Sequence, residues 1–231
     1  MAKVILISGT RKGIGRYLAE YYLAKGFTVA GCSRRETDLQ HAAYSHYRLD
    51  VADEDAVVKM VREVSKKYGS IDVLINNAGI AMMNHFLLTP MKKMDEITRT
   101  NYYGTFLLTR EVAKKMMLRK SGRIINFSSV AVPLALEGEA VYASMKSAIE
   151  TFTKISAKEL GEYNITVNAV APTPVETDLI KNVPADKIAA LLQKQAIKRL
   201  AVYEDISNVS DFFIDDKSSF ITGQIIYLGG V

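Results

Sequence analysis

The stretch Val4-Ile5-Leu6-Ile7-Ser8-Gly9-Thr10-Arg11-Lys12-Gly13-Ile14-Gly15 decides how the rest of the chain is read. Residues 4–7 are aliphatic with no polar alternation, the pattern of a strand buried on both faces. Residues 8–15 form a glycine-rich turn. Ile14, Leu18, Tyr21 and Tyr22 then recur at helical spacing up to Gly26, a natural helix stop. Residues 27–32 are apolar again, so the segment reads strand, glycine loop, helix, strand. A glycine loop between strand and helix is an anion cradle, because its N–H groups and the helix N-terminus face negative charge. The spacing Gly-x-x-x-Gly-x-Gly departs from the common dinucleotide fingerprint Gly-x-Gly-x-x-Gly. On the loop alone, a turn of purely structural use is an equal reading.

The alternation continues along the chain. Residues 47–49 read as a strand ending at Asp50, and Asp53 caps a helix running to about Tyr68. Residues 73–76 read as a strand leading into Asn76-Asn77-Ala78-Gly79. A long helical region covers about 91–120. Residues 123–127 read as a strand followed by Ser128 and Ser129, and 141–161 as a helix. Residues 165–170 are a strand ending at Pro172. Residues 184–198 and 203–213 carry helical patterns, and 225–228 is a last strand. Seven strands separated by helices predict an α/β fold: one doubly wound, Rossmann-type domain over 1–231, its seven-stranded parallel sheet covered by helices on both faces. Ligands in such sheets bind beyond the carboxyl ends of the strands. The polar and glycine-rich clusters fall there: 8–15, 33–35, Asp50, 76–79, 128–129 and 172–177.

Composition narrows the classes. The chain has 231 residues, 48% hydrophobic and 24% charged, enough for a sizeable core in one domain. Its single cysteine, Cys32, excludes an intramolecular disulfide and sits in an apolar run, where a small buried side chain is the expected reading. No apolar run approaches the ~18 residues that span a bilayer, and the N-terminal run is too short for a signal peptide, so a cytoplasmic protein is expected. The net charge of +5 is spread along the chain with no basic stripe interleaved with aromatics, which argues against a nucleic-acid groove and leaves room for anionic small molecules. No metal site is expected.

Tyr142 and Lys146 stand at i and i+4 in Val-Tyr-Ala-Ser-Met-Lys, one turn apart on one helix face. A lysine ammonium near a phenol favours phenolate and is expected to lower the tyrosine pKa from its ordinary value of about 10, giving a proton donor suited to neutral pH. By itself the spacing is weak, and a solvated pair is the better reading of it.

Taken together these segments resemble the short-chain dehydrogenase/reductase family from Val4 to Gly230, and within it the bacterial 3-oxoacyl-acyl-carrier-protein reductases. The glycine loop is similar to the family pattern Thr-Gly-x-x-x-Gly-Ile-Gly, with Ser8 in place of Thr. Asp50-Val51 matches its adenine-contacting pair, Asn76-Asn77-Ala78-Gly79 its Asn-Asn-Ala-Gly, and Tyr142 with Lys146 its Tyr-x-x-x-Lys. Ser129 lies upstream at the family's spacing, with Ser128 as the neighbouring alternative. Asn101 holds the position of its active-site asparagine, and 167–172 resembles the strand leading to the nicotinamide.

The resemblance implies a carbonyl/alcohol oxidoreductase. Tyr142 would be the acid in reduction and the base in oxidation, Lys146 its partner and a ribose ligand, Ser129 the donor to the carbonyl oxygen, and Asn101 the anchor of a water relay. It implies a dinucleotide held by Gly9, Thr10, Arg11, Gly13, Ile14, Gly15, Ser33, Arg34, Arg35, Asp50, Val51, Asn77, Ala78, Gly79, Tyr142, Lys146, Pro172, Val175 and Thr177. Charge selects between cofactors: a ribose 2′-OH is typically held by an acid at the end of the second strand, whereas a 2′-phosphate needs cations. Ser33-Arg34-Arg35 offers no acid before Glu36, so NADP (NADPH) is expected, with Arg34 the leading contact and Arg11 second.

The chain departs from the family in Pro172-Thr173-Pro174, where Pro-Gly is usual, which predicts a stiffer nicotinamide loop. It departs again in Leu228-Gly229-Gly230, where Asp-Gly-Gly is common. A substrate lid is expected over about 178–200, with 132–140 and 81–86 facing the same cleft. There Glu137 and Glu139 read as solvated and His85 as an ordinary loop residue. Relatives acting on acyl carrier protein present two basic residues to it; the matching positions are Lys120 and Tyr163, only one of them charged. A 3-oxoacyl thioester is the favoured substrate, with a sugar, polyol or other small ketone as the alternative. A non-catalytic NADP-binding sensor or scaffold is the reading of a different class, opposed by the complete set Asn101, Ser129, Tyr142, Lys146. The helical pairs 91–120 and 141–161 match the family's dimer helices, so a homotetramer is expected, or failing that a dimer.

Overall fold

The computed structural model describes residues 2–175 and 185–231. Seven strands, β1 (Val4–Ser8), β2 (Thr28–Ser33), β3 (Tyr44–Arg48), β4 (Val73–Asn76), β5 (Gly122–Phe127), β6 (Ile165–Ala171) and β7 (Ile225–Tyr227), form one sheet in the order β3-β2-β1-β4-β5-β6-β7. Every pairing is parallel. The chain winds outward from β1 in one direction and from β4 in the other, so the order reverses between these two strands. That switch point opens a crevice at their carboxyl ends.

Helices cover both faces because alternate strand residues feed separate cores. Leu6, Leu74 and Ile124 pack with Val57, Met60, Val61 and Val64 of α2 (Glu54–Tyr68) and with Leu108, Val112 and Met116 of α4 (Gly104–Arg119). Ile5, Ile7, Ile75 and Phe127 pack on the other face with Leu18, Ala19 and Tyr22 of α1 (Gly13–Ala24) and with Ile206 and Phe213 of α8 (Tyr203–Ile214). The two-sided burial explains why the strands read as continuous apolar runs. Cys32 belongs to the first core; it is fully buried, and desolvation pushes its thiol up to about 12. Among the described residues no helix is long and apolar enough to cross a membrane.

Local rules account for most boundaries. Asp53 accepts from the Ala56 N–H at 3.1 Å as the N-cap of α2, and Gly69 ends that helix in the left-handed region. β3 begins at Tyr44, earlier than its sequence shows, because it is a half-exposed edge strand whose polar residues break the apolar signal. The pattern over 184–198 yields α7 (Ala185–Gln193), shorter at its C-terminal end than expected. A short helix, α5 (Ala131–Leu134), precedes α6 (Ala140–Leu160). The region expected as one helix over 91–120 is α3 (Met91–Ile97), a π-helical segment Thr98–Tyr103, and α4. Thr177 and residues 178–184 of the expected lid lie outside the described residues.

Gly104 opens α4 directly against Val51. A Cβ there would lie 2.5 Å from Val51 Cγ2 and 3.0 Å from its Cβ. Overpacking outweighs the ~1 kcal/mol helix preference of alanine. Gly104→Ala therefore lowers unfolding free energy by about 1–2 kcal/mol in urea, and pairing it with Val51→Ala costs less than the sum of the two single changes.

Candidate active site

The glycine loop is built around a close approach to Asn77. Gly9 (φ +80°) and Gly15 both lie against the Asn77 side-chain amide. A Cβ at Gly9 would come 2.8 Å from Nδ2, and one at Gly15 would overlap Nδ2 and the Gly9 carbonyl oxygen. Asn77 Nδ2 donates to the Ser8 carbonyl at 2.9 Å, while Ser8 Oγ accepts from the N–H groups of Asn77 and Ala78 at 3.1 and 3.0 Å. These bonds tie the end of β1 to the end of β4. Gly13 (φ +61°) turns the chain into α1, which has no side-chain cap and no acid in its first turn. A bare helix N-terminus behind a loop free of side-chain bulk fits a pyrophosphate.

The turn after β2 lies beside that cradle. Arg34 and Arg35 are exposed and Arg11 is half-buried. None of the ion pairs among the described residues takes Arg11, Arg34 or Arg35. Ser33 Oγ is turned inward and donates to the Arg35 carbonyl at 2.6 Å. The nearest following acids are answered elsewhere or face solvent: Arg16, on α1, holds Asp38 at 2.5 Å and Thr37 at 3.1 Å, which keeps the Asp38 carboxyl below its ordinary value, while Glu36 is exposed. Asp50 Oδ1 accepts from the Ala52 N–H at 2.9 Å, and Val51 is buried beneath Gly104.

Ser128, Ser129, Tyr142 and Lys146 meet at the end of β5. Ser128 is buried, and its hydroxyl donates to Glu150 at 2.5 Å, with Tyr227 donating to the other carboxylate oxygen at 2.8 Å. Ser129 remains for Tyr142: its hydroxyl is the interaction that pulls the Tyr142 pKa downward, while its oxygen also accepts from the Ala131 N–H at 3.1 Å. The two adjacent serines thus have different partners, Ser128 on Glu150 and Ser129 on Tyr142.

Lys146 is buried and donates to the Phe127 carbonyl at 2.7 Å, its Nζ 5.7 Å from the centre of the Tyr142 ring. The expected lowering of the Tyr142 pKa is not what the protein shows. Burial pushes the phenol up to about 12, Ser129 opposes this, and the Glu139 charge adds to it. Burial lowers Lys146 to about 8. Glu139 is half-buried rather than solvated, and desolvation raises its carboxyl. His85 is an exposed loop residue whose Nδ1 accepts from the Leu87 N–H at 3.4 Å, capping the turn Phe86–Leu88.

Asn101 sits in the π-helical segment, fully buried, and its side chain clamps Ile80 from both sides. Oδ1 accepts from the Ile80 N–H at 2.8 Å, and Nδ2 donates to the Ile80 carbonyl at 2.9 Å. A Cβ on Gly79 would sit 3.5 Å from Asn101 Oδ1 and 3.7 Å from Lys146 Nζ, so Gly79 separates the two. The Asn101 amide is thus engaged on backbone; the sequence gave no sign of this, because a π-segment has no signature in apolar spacing.

The departures after β6 also acquire a structural account. The buried Thr173 hydroxyl pairs with the side-chain amide of Gln195. Pro172 accepts from the Val130 N–H at 3.2 Å and Pro174 from the Ala201 N–H at 3.1 Å, and Val175 bridges to Ala201. Gly229 and Gly230 accept from Ile197 and Ala196, each at 3.0 Å. The chain around 195–201 therefore holds the loop after β6. Gln195 was invisible in sequence because its partner lies across the fold.

Comparison with known proteins agrees with this geometry. A family described as Enoyl-(Acyl carrier protein) reductase matches residues 9–230. The 3-oxoacyl-[acyl-carrier-protein] reductase of Escherichia coli is 32% identical over 99% of this chain and 96% of its own length. Among solved structures, ElxO with NADP bound is 29% identical, covering 99% of this chain and 97% of its own, with a TM-score of 0.91. A gluconate 5-dehydrogenase of Burkholderia cenocepacia in complex with NADP and tartrate is 27% identical, covering 99% and 94%, also with a TM-score of 0.91.

Unfolded chains hold the Lys146 proton to about 10.5, while the folded protein releases it near 8. The unfolded state binds more protons across that window, so stability rises with pH there. Between pH 8 and 10.5 the wild type gains on Lys146→Met by up to about 3 kcal/mol in urea unfolding; a difference independent of pH would show that Lys146 does not carry this shift.

Proposed function

The chain belongs to the short-chain dehydrogenase/reductase family, and from that premise we propose that this oxidoreductase uses NADP(H) to reduce a carbonyl to an alcohol, with a 3-oxoacyl thioester as the favoured substrate. The observation that carries the reading is the meeting of Ser129, Tyr142 and Lys146 at the end of β5, with Asn101 and Gly79 closing the side toward the glycine cradle.

NADPH, when bound, supplies the hydride to the carbonyl carbon. Gly9, Thr10, Gly13, Ile14, Gly15, Asn77, Ala78 and Gly79 would hold its pyrophosphate side, Asp50 and Val51 its adenine, and Arg11, Arg34 and Arg35 its 2′-phosphate, with Ser33 holding the backbone of that turn. Pro172 and Val175 would hold the carboxamide side, and Thr177, which lies outside the described residues, matches a position that contacts the cofactor phosphate. Guanidinium groups that take part in none of the ion pairs among the described residues support NADP over NAD, since a 2′-phosphate needs cations close by. The NADP-bound state of ElxO and of the gluconate 5-dehydrogenase supports the same choice.

Ser129 and Tyr142 donate to the carbonyl oxygen, stabilising the charge that develops there, and Tyr142 passes its proton to that oxygen. A phenol held up at about 12 keeps that proton at neutral pH until an alkoxide forms to take it. Lys146, still largely protonated below its value of about 8, binds the ribose and resupplies the proton through water, and Asn101 fixes the 79–80 backbone alongside it.

The 32% identity with a 3-oxoacyl-[acyl-carrier-protein] reductase over nearly the full chain favours an acyl thioester. A small polyhydroxylated ketone is the second reading, favoured by Glu139: a half-buried carboxyl acting on Tyr142 accepts hydrogen bonds from substrate hydroxyls. Assembly as a homotetramer is supported by Tyr103 and Phe106 of the 98–119 region and Ile155 of α6, which leave apolar surface in water; light scattering in solution is expected to give the mass of four chains.

NADPH oxidation measured on acetoacetyl thioesters beside a panel of keto-sugars and small ketones tests the substrate class. Thioester turnover well above the panel supports the first reading, and the reverse order supports the second. Tyr142→Phe lowers kcat about 10²–10⁴-fold while NADPH still binds; near-wild-type turnover in that variant would sink the mechanism.

A further inference from the structure

A chain of hydrogen bonds crosses beneath the cofactor cradle and uses two residues that the mechanism does not. Thr10 Oγ1, in the glycine loop, lies 2.9 Å from the Tyr44 hydroxyl. The same hydroxyl lies 2.9 Å from His46 Nδ1. On the other side of the ring, His46 Nε2 lies 3.0 Å from the Arg35 carbonyl oxygen and 3.2 Å from Ser33 Oγ. The chain thus joins the glycine loop to the arginine turn, the two segments that flank the candidate 2′-phosphate site.

The architecture is specific to this path. Tyr44 and His46 stand two apart on β3, so both project from one face of the edge strand. His46 pairs in register with Gly31 of β2, the point where the chain passes. A Cβ on Gly31 would overlap both the Tyr44 hydroxyl and Thr10 Oγ1. An edge strand ordinarily leaves such polar side chains to water; here every polar atom of the two has a protein partner.

The partners fix the roles. The Arg35 carbonyl only accepts, so His46 Nε2 carries the ring hydrogen and donates to it. Ser33 Oγ spends its own hydrogen on the same carbonyl at 2.6 Å. Two donors therefore hold the Arg35 carbonyl inward, and the Arg34 and Arg35 side chains stay exposed outside the turn. Both ring nitrogens are occupied, so the imidazole has none left for a phosphate.

We propose that His46 is a positioning residue for cofactor choice: through Tyr44 and the Arg35 carbonyl it holds the 33–35 turn in the form that presents its arginines to the 2′-phosphate of NADP. The inference rests on the NADP reading above. It assigns to β3, which supplies none of the expected cofactor contacts itself, a part in selecting between two cofactors that differ by one phosphate group.

Dissociation constants for NADPH and NADH, from fluorescence titration of the full chain, test it without turnover. The wild type prefers NADPH, and Arg34→Ala loses that preference. In His46→Ala, NADPH binding weakens about tenfold, the size of one lost hydrogen bond, with NADH within twofold of wild type. Tyr44→Phe moves the ratio in the same direction by less. His46→Gln, which keeps a donor for the Arg35 carbonyl, restores most of the preference and serves if His46→Ala fails to fold. A His46→Ala protein that keeps the wild-type ratio, or weakens both cofactors equally, overturns the inference and leaves the NADP reading intact. A wild type that binds NADH as well as NADPH overturns the NADP reading itself.

Discussion

The constraint on which the molecule depends is the contact of Gly9 and Gly15 with the Asn77 amide. No side chain fits between these atoms. Because they are this close, one amide and one serine hydroxyl, Ser8, join the ends of β1 and β4 by three hydrogen bonds. The join falls at the point where the sheet reverses direction, so the crevice there has a rigid floor. A looser contact would let the glycine loop move against Asn77 and separate the cradle from the residues that work on the substrate.

A second layer of polar bonds carries that rigidity across the sheet. Asn76 donates to Asn126 at 2.8 Å and to Thr109 at 2.9 Å, and Asn126 donates to Thr153 at 2.8 Å. All four residues are buried. Buried amides are costly unless satisfied; here the Asn76 and Asn126 NH2 groups find partners across β4, β5, α4 and α6, while Asn76 Oδ1 is left without one. The helix that carries Tyr142 and Lys146 is thereby keyed to the strand that ends in Ser128 and Ser129. Glu150 adds a further tie, taking Ser128 and Tyr227 on its two oxygens and linking α6 to β7. The pair Tyr142 and Lys146 is therefore set by a framework of hydrogen bonds as well as by helical spacing.

Much of this was legible in the sequence because strands buried on both faces and glycine-bounded loops leave strong local patterns. Val4 to Ile7, the turn at Gly9–Gly15 and the cap at Asp53 each announce themselves within a few residues. The reaction class was legible too, since Asn101, Ser129, Tyr142 and Lys146 keep characteristic separations along the chain. What escaped was cross-chain and electrostatic. The Tyr142 pKa was expected to fall beside a lysine and instead rises, because burial outweighs the Ser129 hydrogen bond while Lys146 is engaged on the Phe127 carbonyl. Tyr44 and His46 escaped because β3 is half-exposed and mixed in polarity, and Gln195 because its partner Thr173 is distant in sequence.

The segment Thr98–Tyr103 has a consequence for how the family's helices vary. A π-turn accommodates one residue more than the regular helix would in the same rise, and each residue advances an α-helix by about 100°. The two parts it joins, Met91–Ile97 and Gly104–Arg119, therefore need not share a phase. Changes in the outer part can rotate its side chains without turning Leu107, Leu108 and Val112 out of the core. Asn101 sits at the joint, fastened to Ile80, so the joint's own orientation is held while the two parts diversify. The arrangement works as a splice between an outer part free to change phase and a part bound to the sheet.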